Sequence, residues 1–155
     1  MVIIILGSKT DLEWGNKIAL QLAKFSIKNL IHIASAHKTP VHLLKLLKKY
    51  NEKNDTIFIA VAGRSNALGG FIDANSLHPV INCPPPSSSY AGLDILSSLR
   101  MPSGVGCLTV LEPDAVAVAC LKIMAKHDKD LFTKIANHQN DFQVKVVKDD
   151  QELKR

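Results

Sequence analysis

One histidine in this chain sits among residues suited to work on an anionic substrate. It is His37, in the run Ser35-Ala36-His37-Lys38-Thr39-Pro40. An imidazole takes and returns protons near neutral pH, and Lys38 beside it attracts anions and disfavours the imidazolium. Two other polar runs carry complementary chemistry. In Gly7-Ser8-Lys9-Thr10-Asp11, Gly7 permits a sharp turn, and hydroxyls with free N–H groups at a helix start can hold a phosphate. A plain strand-to-helix turn with a capping box is the competing reading of that run. Gly63-Arg64-Ser65-Asn66 offers backbone N–H groups, a permanent positive charge and an amide, and Arg64 suits a carboxylate. Its competing reading is a surface arginine near a helix start.

Other chemistries find no support. The P-loop, the G-x-G-x-x-G fingerprint, the G-x-S-x-G elbow and H-E-x-x-H are all absent. Cys83, Cys107 and Cys120 are odd in number and widely spaced, so they read as reduced, buried small residues rather than metal ligands. Only Cys83 stands near a strand end that would reach the functional rim. Among the other histidines, His32 alternates within a strand, His42, His127 and His138 fall on helices, and His78 precedes Pro79 in a loop. These read as structural or solvated groups. What remains is one His, one Lys, one Arg and several hydroxyls. That set suits proton transfer on a bound anionic small molecule, with no metal and no organic cofactor.

These runs need a frame to bring them together, and the apolar pattern supplies one. Strands are expected at Val2–Leu6, Leu30–Ala34, Ile57–Ala62, Val80–Cys83 and Gly106–Val110. Helices are expected from a cap at Thr10 with Glu13 three residues on, from Thr39-Pro40, near Ala67–Ala74, over Ala91–Leu99 and over Pro113–Lys126. Trp14, Ile18, Leu22 and Phe25 mark the apolar face of the first helix, and Leu43, Leu44, Leu47 and Tyr50 that of the second. Residues 128–155 form a further, more polar helix, expected to pack onto another subunit. Pro84-Pro85-Pro86-Ser87-Ser88-Ser89 is the one long loop, because three prolines cannot enter a sheet ladder.

Strict alternation of strand and helix implies a parallel sheet covered on both faces. With right-handed crossovers the outcome is a single α/β domain over 1–155, a three-layer sandwich with a flavodoxin-like sheet of about five strands. Ligands of such sheets bind outside the carboxyl ends of the strands, where the polar runs at Gly7, Ser35 and Gly63 fall. Met101-Pro102-Ser103-Gly104 lies just ahead of the fifth strand.

Composition narrows the function class. The chain has 155 residues, 46% hydrophobic and 21% charged, enough for one core and too ordered for a disordered chain. No apolar run approaches the roughly 18 residues that span a bilayer. The chain opens directly on Val2–Leu6 without a basic leader, so a cytoplasmic protein is expected. Its formal charge of +5 is concentrated in residues 1–50, which hold eight Lys against two acids. With only 5% aromatic residues, base stacking is poorly provided for. A phosphorylated small molecule is the expected partner, with no nucleic acid and no membrane.

Four runs in one order carry a specific resemblance. Gly7-Ser8-Lys9-Thr10-Asp11, Ser35-Ala36-His37-Lys38-Thr39-Pro40, Ala62-Gly63-Arg64-Ser65-Asn66-Ala67-Leu68 and Ser97-Ser98-Leu99-Arg100-Met101-Pro102-Ser103-Gly104 together resemble the phosphoribosylaminoimidazole (AIR) carboxylase family of de novo purine synthesis. The resemblance covers roughly residues 2–125. It implies reversible carboxylation of 5-aminoimidazole ribonucleotide (AIR) at C4, with His37 as general acid and base. It also implies that Ser8, Asp11, Ser35 and Lys38 hold the phosphoribosyl group, and that the Gly63, Arg64 and Ser65 loop holds CO2 or the new carboxylate. The family's mutase branch carries a Gly-Gly-Ala-Ala-His-like loop and an Arg where this chain has Gly63-Arg64-Ser65-Asn66-Ala67 and Lys38. Both departures resemble the class II branch, which uses CO2 directly. Relatives assemble as homo-oligomers, so an octamer or tetramer is expected. The rival readings are a mutase acting on the N5-carboxy ribonucleotide, and a non-enzymatic flavodoxin-like receiver. The receiver lacks its acidic cluster here, since Asp11 is solitary and the third strand runs into Ala62-Gly63-Arg64.

Overall fold

A computed structural model of the chain describes residues 1–154, except for the side chain of His127. Its frame is a sheet of β1 (Val2–Leu6), β2 (Asn29–Ile33), β3 (Ile57–Val61), β4 (Val80–Asn82) and β5 (Leu108–Thr109), ordered β2-β1-β3-β4-β5. Every neighbouring pair is parallel. The helices are α1 (Leu12–Lys24), α2 (Pro40–Asn51), α3 (Ala67–Ala74), α4 (Leu96–Leu99), α5 (Pro113–Met124) and α6 (Lys129–Leu153). This is the expected flavodoxin-like order, with its switch point between β1 and β3.

The alternation of side chains along a strand builds the two outer layers. Val2, Ile4 and Leu6 of β1 join Ile57, Ile59 and Val61 of β3 on one face, where Ile18 and Leu22 of α1 and Val116, Cys120 and Leu121 of α5 cover them. Ile3, Ile5, Phe58 and Ala60 point to the other face, under Leu43, Leu47 and Tyr50 of α2 and Leu68 and Ile72 of α3. All of these side chains are buried, each aliphatic one contributing about 1.5–3 kcal/mol. Gly69 is where α3 meets β4. A Cβ there would overlap the carboxamide of Asn82, so the close approach requires glycine.

Beyond shifts of one or two residues at element ends, the structure departs from the pattern-based reading at four points. The first helix begins at Leu12, after a 3-10 turn over Lys9–Asp11. Ser8, not Thr10, closes that turn, because the Asp11 carboxylate accepts both the Ser8 N–H and the Ser8 hydroxyl at 3.0 Å. The helix expected over Ala91–Leu99 forms only from residue 93, as the end of a 3-10 stretch that runs on into α4. Tyr90, Ala91 and Gly92 are left-handed, at φ 51°, 52° and 80°. The helical spacing of Leu93, Leu96 and Leu99 is real, but all three are more than half exposed, because no layer of this chain is free to bury them. β5 shrinks to two residues because β4, its only partner, is three residues long. Finally, Leu44 is largely exposed while Leu43, Leu47 and Tyr50 are buried.

α6 is half packed. Leu131 and Ile135 rest on the first core, and Lys134 donates to the Phe25 carbonyl at 2.9 Å. From residue 139 to 154 every residue is exposed, including Phe142, Val144, Val146 and Val147. No helix among the described residues is long and apolar enough to cross a membrane.

Gly69→Ala tests the seat of α3. Overpacking of this kind costs about 1–3 kcal/mol, and the gain in helix propensity offsets less than that. The expected result is a clear drop in the chemical denaturation midpoint at fixed protein concentration. An unchanged midpoint would mean the Asn82 carboxamide is not fixed against α3.

Candidate active site

Three adjacent strands end at one level. Leu6 of β1 is in register with Ile33 of β2 and Val61 of β3. The chain leaves them side by side, with Gly7 N–H bonded to the Val61 carbonyl and Ala34 N–H to the Leu6 carbonyl, both at 2.9 Å. A Cβ on Gly7 would come within 3.2 Å of the Ala62 Cβ, so glycine lets the first and third loops run this close. Above these ends lies an open cleft of about 830 Å³.

All eight residues singled out from the sequence line this cleft. Ser8 and Asp11 come from the loop after β1, Ser35, His37 and Lys38 from the loop after β2, and Gly63, Arg64 and Ser65 from the loop after β3. The loop after β2 is shaped by its own hydroxyls. Thr39 Oγ1 accepts from the Ser35 N–H at 2.9 Å, and Ser35 Oγ accepts from the Lys38 N–H at 3.1 Å. This tight turn leaves His37 and Lys38 exposed to the cleft's solvent. The three ion pairs among the described residues are all helix pairs at i,i+4. None engages Lys38 or Arg64, so both cations are available to a ligand. Asp11 is the one carboxylate lining the cleft.

None of the other histidines whose side chains are described lines the cleft. His32 Nε2 is 2.7 Å from the Tyr50 hydroxyl. Burial and then the nearby charges of Lys49 and His42 push its pKa down, which keeps it neutral. His78 stacks at a tilt on Phe58, and His138 lies edge-on between Phe25 and Phe142. His127 ends the 3-10 turn over Ala125–His127, and its side chain lies outside the described residues. Cys83 is buried beneath the Trp14 indole, which donates to the Cys83 carbonyl at 3.1 Å. Burial pushes the thiols of Cys83 and Cys120 up to about 12 and that of Cys107 to about 11, so none is a thiolate at neutral pH. No group of three or more His, Cys, Asp or Glu that could hold a metal occurs among the described residues.

Two features of the site went unread in the sequence. Pro85, Pro86 and Ser87–Ser89 form the cleft's remaining wall. The signal was present, a proline and serine run after a strand, but its place beside the Gly63 loop depends on the sheet order. The second feature is a buried amide pair under the Gly63 loop. The Asn66 amide donates to Ser98 Oγ at 2.8 Å and to Asn82 Oδ1 at 3.2 Å, and both asparagines are buried. Met101–Gly104 does not line the cleft, since it precedes β5 and the cleft lies beyond the strands' other ends. A smaller cavity of about 250 Å³ shares Gly63, Arg64 and Pro85 with the cleft, and Trp14, Pro84, Ile95 and Leu111 line much of the rest.

Comparison with known proteins agrees with this geometry. Residues 1–145 match the family model described as AIR carboxylase. A phosphoribosylaminoimidazole carboxylase of Archaeoglobus fulgidus is 49% identical over 152 residues, covering 98% of this chain and 84% of the relative. Its counterpart in Treponema denticola is 43% identical over 156 residues, covering 100% of this chain and 98% of the relative. The crystal structure of Treponema denticola PurE superposes with a TM-score of 0.97 at 43% identity, covering 99% of this chain and 98% of that one. Matched along nearly its whole length in both sequence and fold, the chain belongs to the AIR carboxylase family of carboxy-lyases, enzymes of purine biosynthesis.

Proposed function

We propose that this protein carboxylates AIR reversibly at C4 with CO2, giving 4-carboxy-5-aminoimidazole ribonucleotide without ATP, and that His37 is its general acid and base. The observation that carries this reading is the meeting of His37, Lys38 and Arg64 in one cleft. A proton carrier thus stands among two cations, suited to a substrate that is anionic at both ends once carboxylated.

The chemistry follows from the substrate. The 5-amino group pushes electron density to C4, so this carbon is nucleophilic without activation. Its electron pair forms the new bond to the carbon of CO2, and one C–O π bond becomes the carboxylate. C4 then still bears its hydrogen and the ring has lost aromaticity. His37 takes that proton, and the C–H pair restores the ring. In reverse the imidazolium returns the proton to C4 and CO2 leaves. Arg64 and the N–H groups of the Gly63–Ser65 loop offset the negative charge that grows on the carboxyl oxygens.

The remaining residues bind. Lys38 and Ser35 meet the phosphate as charge-assisted and hydroxyl donors, and Ser8 serves the phosphoribosyl group by holding Asp11. Asp11 receives ribose hydroxyls, because its carboxylate would repel a phosphate. Ser8 already donates twice to Asp11 Oδ2, which holds the carboxylate still. CO2 is small and uncharged, and the cavity beside Gly63, mostly apolar but lined also by Arg64, Asp94 and Glu112, offers it few specific contacts. Binding energy therefore comes from the ribonucleotide. The Gly63-Arg64-Ser65-Asn66-Ala67 loop, which lacks the histidine of the mutase branch, favours CO2 over the N5-carboxy ribonucleotide. The test is turnover of AIR with isotope-labelled CO2 against turnover of the N5-carboxy compound. Higher kcat/KM with CO2 is expected, and the opposite order would replace this reading with the mutase.

We also propose that the exposed apolar residues of α6 pack onto another copy, giving a homo-octamer or homo-tetramer. Val146 is 65% exposed and Phe142 56% exposed on that helix. Val146→Asp is expected to lower the mass measured by light scattering, and an unchanged mass would take α6 out of the interface.

For the reaction itself, His37→Asn is expected to lower kcat by about 10²–10⁴, the usual worth of a general acid or base, while AIR affinity stays within about three-fold. Lys38→Ala should do the reverse. One lost charged hydrogen bond weakens AIR binding by about ten-fold or more. Near-normal turnover in the first variant, or unchanged affinity in the second, would remove the role assigned to that residue.

A further inference from the structure

Arg64 has a backbone its side chain does not favour. Its φ is 59°, in the left-handed region, where a residue other than glycine pays about 1–2 kcal/mol. Five non-glycine residues among those described share this sign of φ, namely Ser26, Asp55, Arg64, Tyr90 and Ala91. Only Arg64 of the five lines the cleft. Such a conformation persists where its surroundings over-determine it.

The surroundings here centre on one hydroxyl. Ser97 Oγ accepts the Asn66 N–H at 3.0 Å. It lies 2.9 Å from the Arg64 carbonyl and 2.7 Å from the Asp94 carbonyl, so its one proton serves one of these two at a time. When that proton goes to Arg64, the hydroxyl bridges the C=O of Arg64 and the N–H of Asn66, closing a ring around the turn. Asn66 is itself anchored, through Ser98 Oγ and Asn82 Oδ1. The far end of the clip is thus fixed in the core, and Ser97 transmits that rigidity to Arg64.

We propose that Ser97 is a positioning residue for the carboxyl group. By holding Arg64 left-handed, it keeps the Gly63–Ser65 backbone and the Arg64 side chain in the conformation that receives the carboxylate. This rests on reading that loop as the carboxylate site. Ser97 does not line the cleft. Its loss therefore acts on the carboxylated ligand and spares the ribose phosphate.

Calorimetric titration of the purified protein with AIR and, separately, with its 4-carboxy product tests this. Ser97→Ala is expected to weaken the 4-carboxy ribonucleotide about ten-fold, the worth of roughly one hydrogen bond, and AIR by less than about two-fold. Ser97→Thr, which keeps the hydroxyl, should restore affinity to within about three-fold. In an Arg64→Gly background the effect of Ser97→Ala should shrink to about two-fold, because glycine adopts positive φ about as readily as negative. If Ser97→Ala does not fold, Ser97→Cys, a weaker donor of similar size, is read in the same way. Equal weakening of both ligands, or a full ten-fold loss in the Arg64→Gly background, would overturn the proposal. Carboxylation from CO2 and rearrangement of the N5-carboxy compound end in the same product. A failure of the CO2 reading therefore appears in turnover by the unsubstituted protein and leaves this comparison intact.

Discussion

The site depends on the register of three strands. Leu6 sits between Ile33 and Val61, and hydrogen bonds from Gly7 and Ala34 tie the three exits together. Three loops separated by more than twenty residues in sequence therefore begin within a few ångströms of one another. A slip of one residue in β1 would turn Val2, Ile4 and Leu6 onto the wrong core. It would also carry the Gly7 loop out of line with the other two. The two apolar cores that fix this register thus fix the active-site geometry as well.

The cleft itself is built with little apolar packing. His37 and Lys38 are exposed, and hydroxyl-to-backbone bonds within the loops shape the turns that carry them. This division suits a site that must desolvate a charged ligand. The rigid parts are backbone turns, and the cations stay free of internal carboxylates. Only the Gly63–Asn66 loop is pinned from below, by buried amides and serine hydroxyls. Buried polar groups are costly unless paired, and here their pairing is specific. Each donor meets an acceptor on a different element, so the network joins the β3–α3 loop, β4 and α4 as one unit.

Much of the fold was legible because its signals are local. Continuous β-branched runs at Val2–Leu6 and Ile57–Val61 read as doubly covered strands, and they are buried from end to end. His37 stood out because it alone among the histidines follows a strand's carboxyl end. Cys83 was read as a buried residue near the rim, and it is buried, with the Trp14 indole donating to its carbonyl. The long helix expected at Ala91–Leu99 misled. Leucines at helical spacing record a need for burial without saying where: only Ala91 and Gly92 turn left-handed, and the leucines follow on a right-handed stretch that stays exposed.

The sequence by itself determined the alternation of strands and helices, the polar loops at the strand ends and the single histidine among them. Each of these is set by neighbours within about ten residues, through periodicity, capping and turn chemistry. Only the tertiary structure decided that Pro85–Ser89 lines the same cleft as the Gly7 loop, that Asn66 reaches Asn82 and Ser98, and that Ser97 reaches the carbonyl of Arg64. These contacts span 16 to 33 residues between the asparagines, serines and Arg64. A polar residue's type shows that it needs a partner, but the partner is chosen by which strands lie side by side.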